Sequence, residues 1–104
     1  MSEPLDSIIE AFRNRNYDVE MRHVWENFVL EPDRPSPSAI VESIADDAPK
    51  LILDDPEDSR GGRAEIGGIA RNGRAIHSHV GYERNPMKII TAWHVSMAEY
   101  NGIS

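Results

Sequence analysis

Apolar positions recur with a helical period in the first half of the chain and alternate in much of the second half. Leu5, Ile8, Ile9 and Phe12 fall at helical spacing with Asp6 and Glu10 turned away. This pattern predicts an amphipathic helix over residues 4–14. After the polar break at Asn14 to Asn16, Met21, Val24, Trp25, Phe28 and Val29 repeat at i, i+3, i+4, i+7 and i+8. They predict a second helix with Asp18 as its N-cap. The segment EPDRPSPS carries Pro32, Pro35 and Pro37, so no helix crosses it. It also restarts one: Ser36 can cap, Pro37 suits the first helical position, and Ile40, Val41, Ile44 and Ala45 form the buried side.

Past Pro49 the period changes. Leu51 to Leu53 predict a short apolar strand, and DDPEDSRGG is a turn-forming loop. Arg63 to Ala70 and Arg74 to Tyr82 read as two strands joined at Asn72-Gly73, which predicts a type I′ hairpin turn with positive φ at both residues. Gly67-Gly68 marks a bulge or a close backbone approach. Glu83 to Pro86 is a second turn, MKIITAWHV a further strand, and Ser96 to Tyr100 a last helical turn or tail. The expected fold class is α+β, with N-terminal helices packed on an antiparallel sheet of three to four strands. One domain over residues 1–104 is expected, helical over 1–48 and sheet over 49–104 with a short C-terminal tail.

Composition narrows the class. A chain of 104 residues, 39% hydrophobic and 28% charged, suits one folded domain. No apolar run approaches the roughly 20 residues that cross a bilayer, so no membrane association is expected. MSEPLDSII lacks the basic start and apolar run of a signal peptide. Absence of cysteine excludes disulfides, thiolate zinc sites and cysteine nucleophiles, and a cytoplasmic location is expected. The net charge of −7 argues against polyphosphate binding, but the charge is split. Residues 1–59 hold 15 acids and 5 bases, whereas residues 60–88 hold Arg60, Arg63, Arg71, Arg74, Arg84 and Lys88 against Glu65 and Glu83. Such a chain can present a basic face while staying acidic overall.

Candidate chemistry lies on the second arm of the hairpin. Strand alternation puts His77 and His79 side by side, about 7 Å apart, with Ile76 and Val80 on the opposite face toward the core. Three readings of the pair stand open. An imidazole can take the proton of a ribose 2′-hydroxyl while a second group protonates the leaving oxygen and Arg74 stabilises the phosphoryl charge. The two can also be metal ligands, completed by His94, His23 or a carboxylate. Or they are surface histidines. Tyr82 and Trp93 are candidates for base stacking or for the core. Thr91 and Ser78 offer hydroxyls, and Arg60, Arg63, Arg71, Arg84 and Lys88 are candidate RNA contacts. No Walker loop, GxGxxG, GxSxG, HExxH or EF-hand pattern is present, which argues against nucleotide-driven or common hydrolase mechanisms.

The stretch EIGGIARNGRAIHSHVGYERNPMKIITAWHVSMAEY resembles the sheet region of BrnT-type toxins and of a related RelE-like family. The matching pieces are Ile66-Gly67, Asn72-Gly73-Arg74, the strand to Tyr82, and Ile89-Ile90-Thr91-Ala92-Trp93. Upstream, the helical His23, the Ile40-Val41-Ile44 helix and Asp54-Asp55-Pro56 are also similar. The resemblance implies a RelE-like fold, metal-independent RNA cleavage to a 2′,3′-cyclic phosphate without a cofactor, and neutralisation by a cognate antitoxin protein. On it, His23 matches the early family histidine, Arg74 the arginine after the turn, and Thr91 and Trp93 the last-strand positions. Trp93 stands where these toxins tend to carry arginine, and this chain is acidic where they are commonly basic. The candidate catalytic set is therefore His23, Arg74, His77, His79 and Thr91, with RNA as substrate and a homodimer left open. The competing reading is a non-enzymatic acidic module, an immunity, antitoxin or regulatory partner, that binds a basic protein.

Overall fold

The computed structural model describes residues 3–19, 30, 34–45, 49–59, 61–83 and 86–102. Helix α1 spans Glu3–Arg13 and buries Ile8 and Phe12 as its spacing predicts. It ends in a Schellman motif. Asn16 N–H donates to Ala11 C=O at 2.8 Å and Arg15 N–H to Phe12 C=O at 3.2 Å, with Arg15 in the left-handed region at φ 60°. The chain turns directly into strand β1, Tyr17–Val19. Asp18 therefore lies in a strand, where its carboxylate accepts from the Val19 N–H at 2.8 Å, and is not the helix cap expected of it. The stripe Met21, Val24, Trp25, Phe28 and Val29 lies outside the described residues.

Helix α2 spans Pro37–Ala45, with the Ser36 hydroxyl accepting from the Ala39 N–H at 3.3 Å. Its buried side is Ala39, Ile40, Ser43 and Ile44. Four strands follow: β2 Lys50–Asp55, β3 Arg63–Ile69, β4 Ala75–Gly81 and β5 Met87–Val95. Helix α3, Met97–Asn101, closes the chain, and the Ser96 hydroxyl accepts from the Glu99 N–H at 3.1 Å.

The architecture is α+β, as expected. The sheet differs from the expected one by a strand. Among the described residues it has five strands in the order β1-β5-β4-β3-β2, and β1 pairs parallel to β5, so the sheet is mixed. The added strand comes from the half of the chain expected to be helical; three residues are too short for a periodicity to register.

Even-numbered residues of β3 and β4 face the helices. Ile66, Ile76 and Val80 join Ile8, Phe12, Ile40, Ile44, Ile89 and Ala92 in one core. Gly68 is the close approach implied by the glycine pair. A Cβ there would lie 1.8 Å from the Ser43 carbonyl oxygen, so α2 rests directly on the β3 backbone. The β3–β4 register runs without a shift; the bulges fall instead in β2, between Leu51 and Leu53, and in the β4–β5 ladder beside His79 and Val80.

The hairpin turn also differs from the expected type. Gly73 N–H donates to Ala70 C=O at 2.9 Å and Ala70 N–H to Arg74 C=O at 3.0 Å. Gly73 has φ 84° and Asn72 does not share a positive φ. This is a type I turn closed by a left-handed glycine, a three-residue loop rather than type I′. The Asn72 side chain accepts from the Arg74 N–H at 2.9 Å, which favours this geometry.

Candidate functional site

The three-residue loop sets Ile69 opposite Ala75, and the ladder then places Gly67 opposite His77 and Glu65 opposite His79. On the other side, β5 sets Trp93 opposite His77 and Thr91 opposite His79. Opposed residues share a face. Glu65, His77, His79, Thr91 and Trp93 therefore meet on the side of the sheet away from α1 and α2.

Glu65 joins the two imidazoles. Its Oε1 lies 3.0 Å from His79 Nε2, and its Oε2 lies 3.5 Å from His77 Nδ1. Arg63, also on β3, hydrogen-bonds His79 Nδ1, and its guanidinium lies 3.8 Å from Asp58. A guanidinium has no acceptor, so Nδ1 must accept and the ring hydrogen sits on Nε2, donated to Glu65. Trp93 meets both imidazoles edge-on, with centroids 6.0 Å from His77 and 5.1 Å from His79. The result is a chain of contacts Asp58–Arg63–His79–Glu65–His77 braced by one indole.

The two histidines are not equivalent. The sequence places both on the open face, yet His77 is 8% exposed and its Nε2 is buried without a hydrogen-bond partner. The His79 side chain retains 25% exposure. Its row, with Leu53 and Thr91, opens on a recess of about 200 Å³ lined by Leu53, Asp55, Asp58, Arg63, Ala64, Glu65 and His79. The row of His77 begins at Lys50, which closes on α3: its ammonium reaches the Tyr100 carbonyl at 3.4 Å and lies 4.3 Å from that ring's centroid.

The remaining sequence candidates fall elsewhere. Arg74 is exposed in the hairpin loop and not on the strand with the histidines. Arg71 sits at the same tip, 4.0 Å from Glu42 of α2. Tyr82 belongs to the helix-packed side, and its hydroxyl donates to Asp54 at 2.7 Å. That bond, with burial and the nearby carboxylates, pushes the phenol up to about 12. Lys88 opposes Gly81, in the row of Arg63. His94 opposes Ile76, on the helix side, so it does not join His77 and His79 as a ligand. Among the described residues no group of three or more His, Asp or Glu side chains is arranged to hold a metal ion. His23, Arg60 and Arg84 lie outside the described residues.

Sequence reasoning missed Glu65 and Asp58. Glu65 had a signal: it is the one acid between Arg60 and Tyr82, six residues before the hairpin loop on the strand that pairs with the histidines. Asp58 had none, because a loop carboxylate is placed by the path of the loop alone.

Among the described residues the charge split is partly closed by pairing. Acids of the first half come back to the arginines of the second, Asp58 to Arg63 and Glu42 to Arg71. The described residues thus define an α+β protein with an imidazole–carboxylate–guanidinium cluster on the sheet face opposite α1 and α2. Comparison with protein families, with curated proteins and with solved structures returned no match. No helix among the described residues is long and apolar enough to cross a membrane.

Proposed function

We propose that this chain is a metal-independent endoribonuclease of the toxin–antitoxin kind, working in the cytoplasm and centred on His79. The observation that supports it is the placement of one partly exposed imidazole between a carboxylate on Nε2 and an arginine on Nδ1. In the reaction, Arg63 leaves Nδ1 for the substrate phosphate, and the freed Nδ1 takes the proton of the ribose 2′-hydroxyl. The 2′-oxygen attacks phosphorus, the P–O5′ bond breaks, and water protonates the departing 5′-oxygen. The hydroxide so formed recovers the proton from the His79 imidazolium. The products are a 2′,3′-cyclic phosphate and a 5′-hydroxyl. Glu65 orients the ring and stabilises the imidazolium, as a carboxylate does behind any catalytic histidine. Arg63 offsets the charge gathering on phosphorus.

The test uses purified protein and a single-stranded RNA with chelator present throughout. Wild type should cleave, and His79→Ala should lose on the order of 10²–10⁴-fold in rate, the usual contribution of a positioned base. Arg63→Ala should fall comparably, while Arg74→Ala at the hairpin tip should keep near-normal activity. Intact RNA with folded wild-type protein would sink the reading.

A second reading is an acidic protein-binding module. The recess beside His79 favours it, being lined by Asp55, Asp58 and Glu65 against one arginine.

A further inference from the structure

We propose that the recess beside His79 holds the base of the nucleotide whose 2′-hydroxyl attacks, and that Asp55 selects guanine there. The inference rests on the nuclease reading, which puts the phosphate on Arg63, and it names the base of the substrate. β2 is the last strand of the sheet and lines the recess with Leu53 and Asp55. Leu53 opposes Glu65 in the row of His79, and Asp55 opposes Arg63 in the next row. Leu53 therefore stands two strands from His79, about 10 Å by strand spacing. It is 60% exposed, a bare apolar surface beside a polar cluster. A ribose at His79 with its phosphate on Arg63 lays its base outward over Leu53, with one edge toward Asp55.

The acids of the recess are not alike. Glu65 is held by both imidazoles, and Asp58 lies 3.8 Å from the Arg63 guanidinium. Arg63 turns to His79 and Asp58 and not to Asp55, its partner across the ladder. The Asp55 carboxylate is exposed and meets no donor among the described residues. A carboxylate only accepts, through two oxygens side by side. Guanine matches it, because N1–H and the N2 amino group donate in parallel. Adenine and cytosine set an acceptor nitrogen beside their amino group, and uracil flanks its N3–H with two carbonyl oxygens. Each of these turns a lone pair toward the carboxylate. Unpaired RNA offers such edges freely, and a splayed base rests on apolar or aromatic side chains. The base is uncharged, so it enters among carboxylates while its phosphate stays on the guanidinium.

The experiment titrates the ¹⁵N-labelled full chain with the 3′-monophosphates of guanosine, inosine, adenosine, cytidine and uridine, following backbone amides by NMR. The guanosine nucleotide should bind about tenfold tighter than those of adenosine, cytidine and uridine, the worth of a hydrogen bond to a charged group. Its shifts should include Leu53 to Asp55. The inosine nucleotide, which lacks the amino group, should fall between. Asp55→Asn exchanges one acceptor oxygen for a donor and should bring the guanosine nucleotide down to the level of the uridine one. Binding without base preference, no binding, or a preference that survives Asp55→Asn overturns the proposal. A second arm maps the fragment ends of a single-stranded RNA of mixed sequence, where cuts 3′ to guanine are expected. Cuts without base bias overturn the proposal and leave the nuclease reading standing. Guanine-selective binding without cleavage sinks the nuclease reading alone.

Discussion

The two faces of one hairpin carry opposite chemistry. Toward the helices, β3 and β4 present Ile66, Ile76 and Val80, each fully buried in a core shared with Ile8, Phe12, Ile40 and Ile44. Away from the helices, one residue along each strand, they present Arg63, Glu65, His77 and His79. The apolar face derives its stability from area removed from water and from close packing, which is non-directional but intolerant of added volume. The polar face buries charge only because each group meets a partner, and its value lies in orientation rather than net stability. Such a sheet can lose its polar face and stay folded, but not its apolar one.

Gly68 offers the sharpest way to break that contrast. Gly68→Val drives a side chain into the Ser43 carbonyl with backbone on both sides, and a loss beyond about 4 kcal/mol is expected in urea unfolding. That is most of the stability of a small domain. A variant as stable as the parent would mean that α2 does not rest on β3. Next comes a pair on β4: Ile76→Ala should cost about 2–5 kcal/mol, while His79→Ala, three residues away on the other face, should cost no more than about 1 kcal/mol. Equal losses would erase the distinction between the faces.

Tyr82 tests the rim, where its hydroxyl donates to Asp54. Tyr82→Phe should cost about 0.5–1.5 kcal/mol, the net worth of one hydrogen bond. The pH dependence carries a sign. The folded phenol is raised to about 12 from 10.0, so the unfolded chain gives up its proton first. Stability from this bond is therefore complete below pH 10 and is lost as pH rises toward 12. Alkaline unfolding followed by circular dichroism should show that slope in the wild type and a flatter one in Tyr82→Phe. Smallest is Arg15, exposed and left-handed at the end of α1. Arg15→Gly should stabilise by about 0.5–1 kcal/mol, the relief of the Cβ penalty less the entropy glycine adds to the unfolded chain. A destabilised variant would show that the Arg15 side chain contributes more than its exposure suggests.

Periodicity made α1, α2, β2, the hairpin arms and β5 legible in the sequence, because each buries one stripe or one face and its apolar spacing records that. The same alternation assigned His77 and His79 to the face opposite Ile76 and Val80. Beyond that, tertiary structure decided. β1 is too short to leave a pattern and forms because the Schellman turn at Arg15 delivers the chain to the edge of β5. His77 is buried where the pattern implies an open face, since burial there depends on what covers the sheet and not on the strand's own sequence.

The candidate site turned on one residue of loop length. A two-residue turn at Asn72-Gly73 pairs Arg71 with Arg74, which sets Glu65 opposite Val80, among the core residues, and Ile66 opposite His79. The three-residue loop that forms sets Glu65 opposite His79 and Ile66 opposite Ser78. A slip of one residue exchanges the faces of a strand. The chain's own residues determined that a hairpin forms here and which face of each arm is apolar. Which carboxylate meets which imidazole follows from the turn geometry, in a fold where α2 rests on Gly68 and the apolar face of β3 points inward.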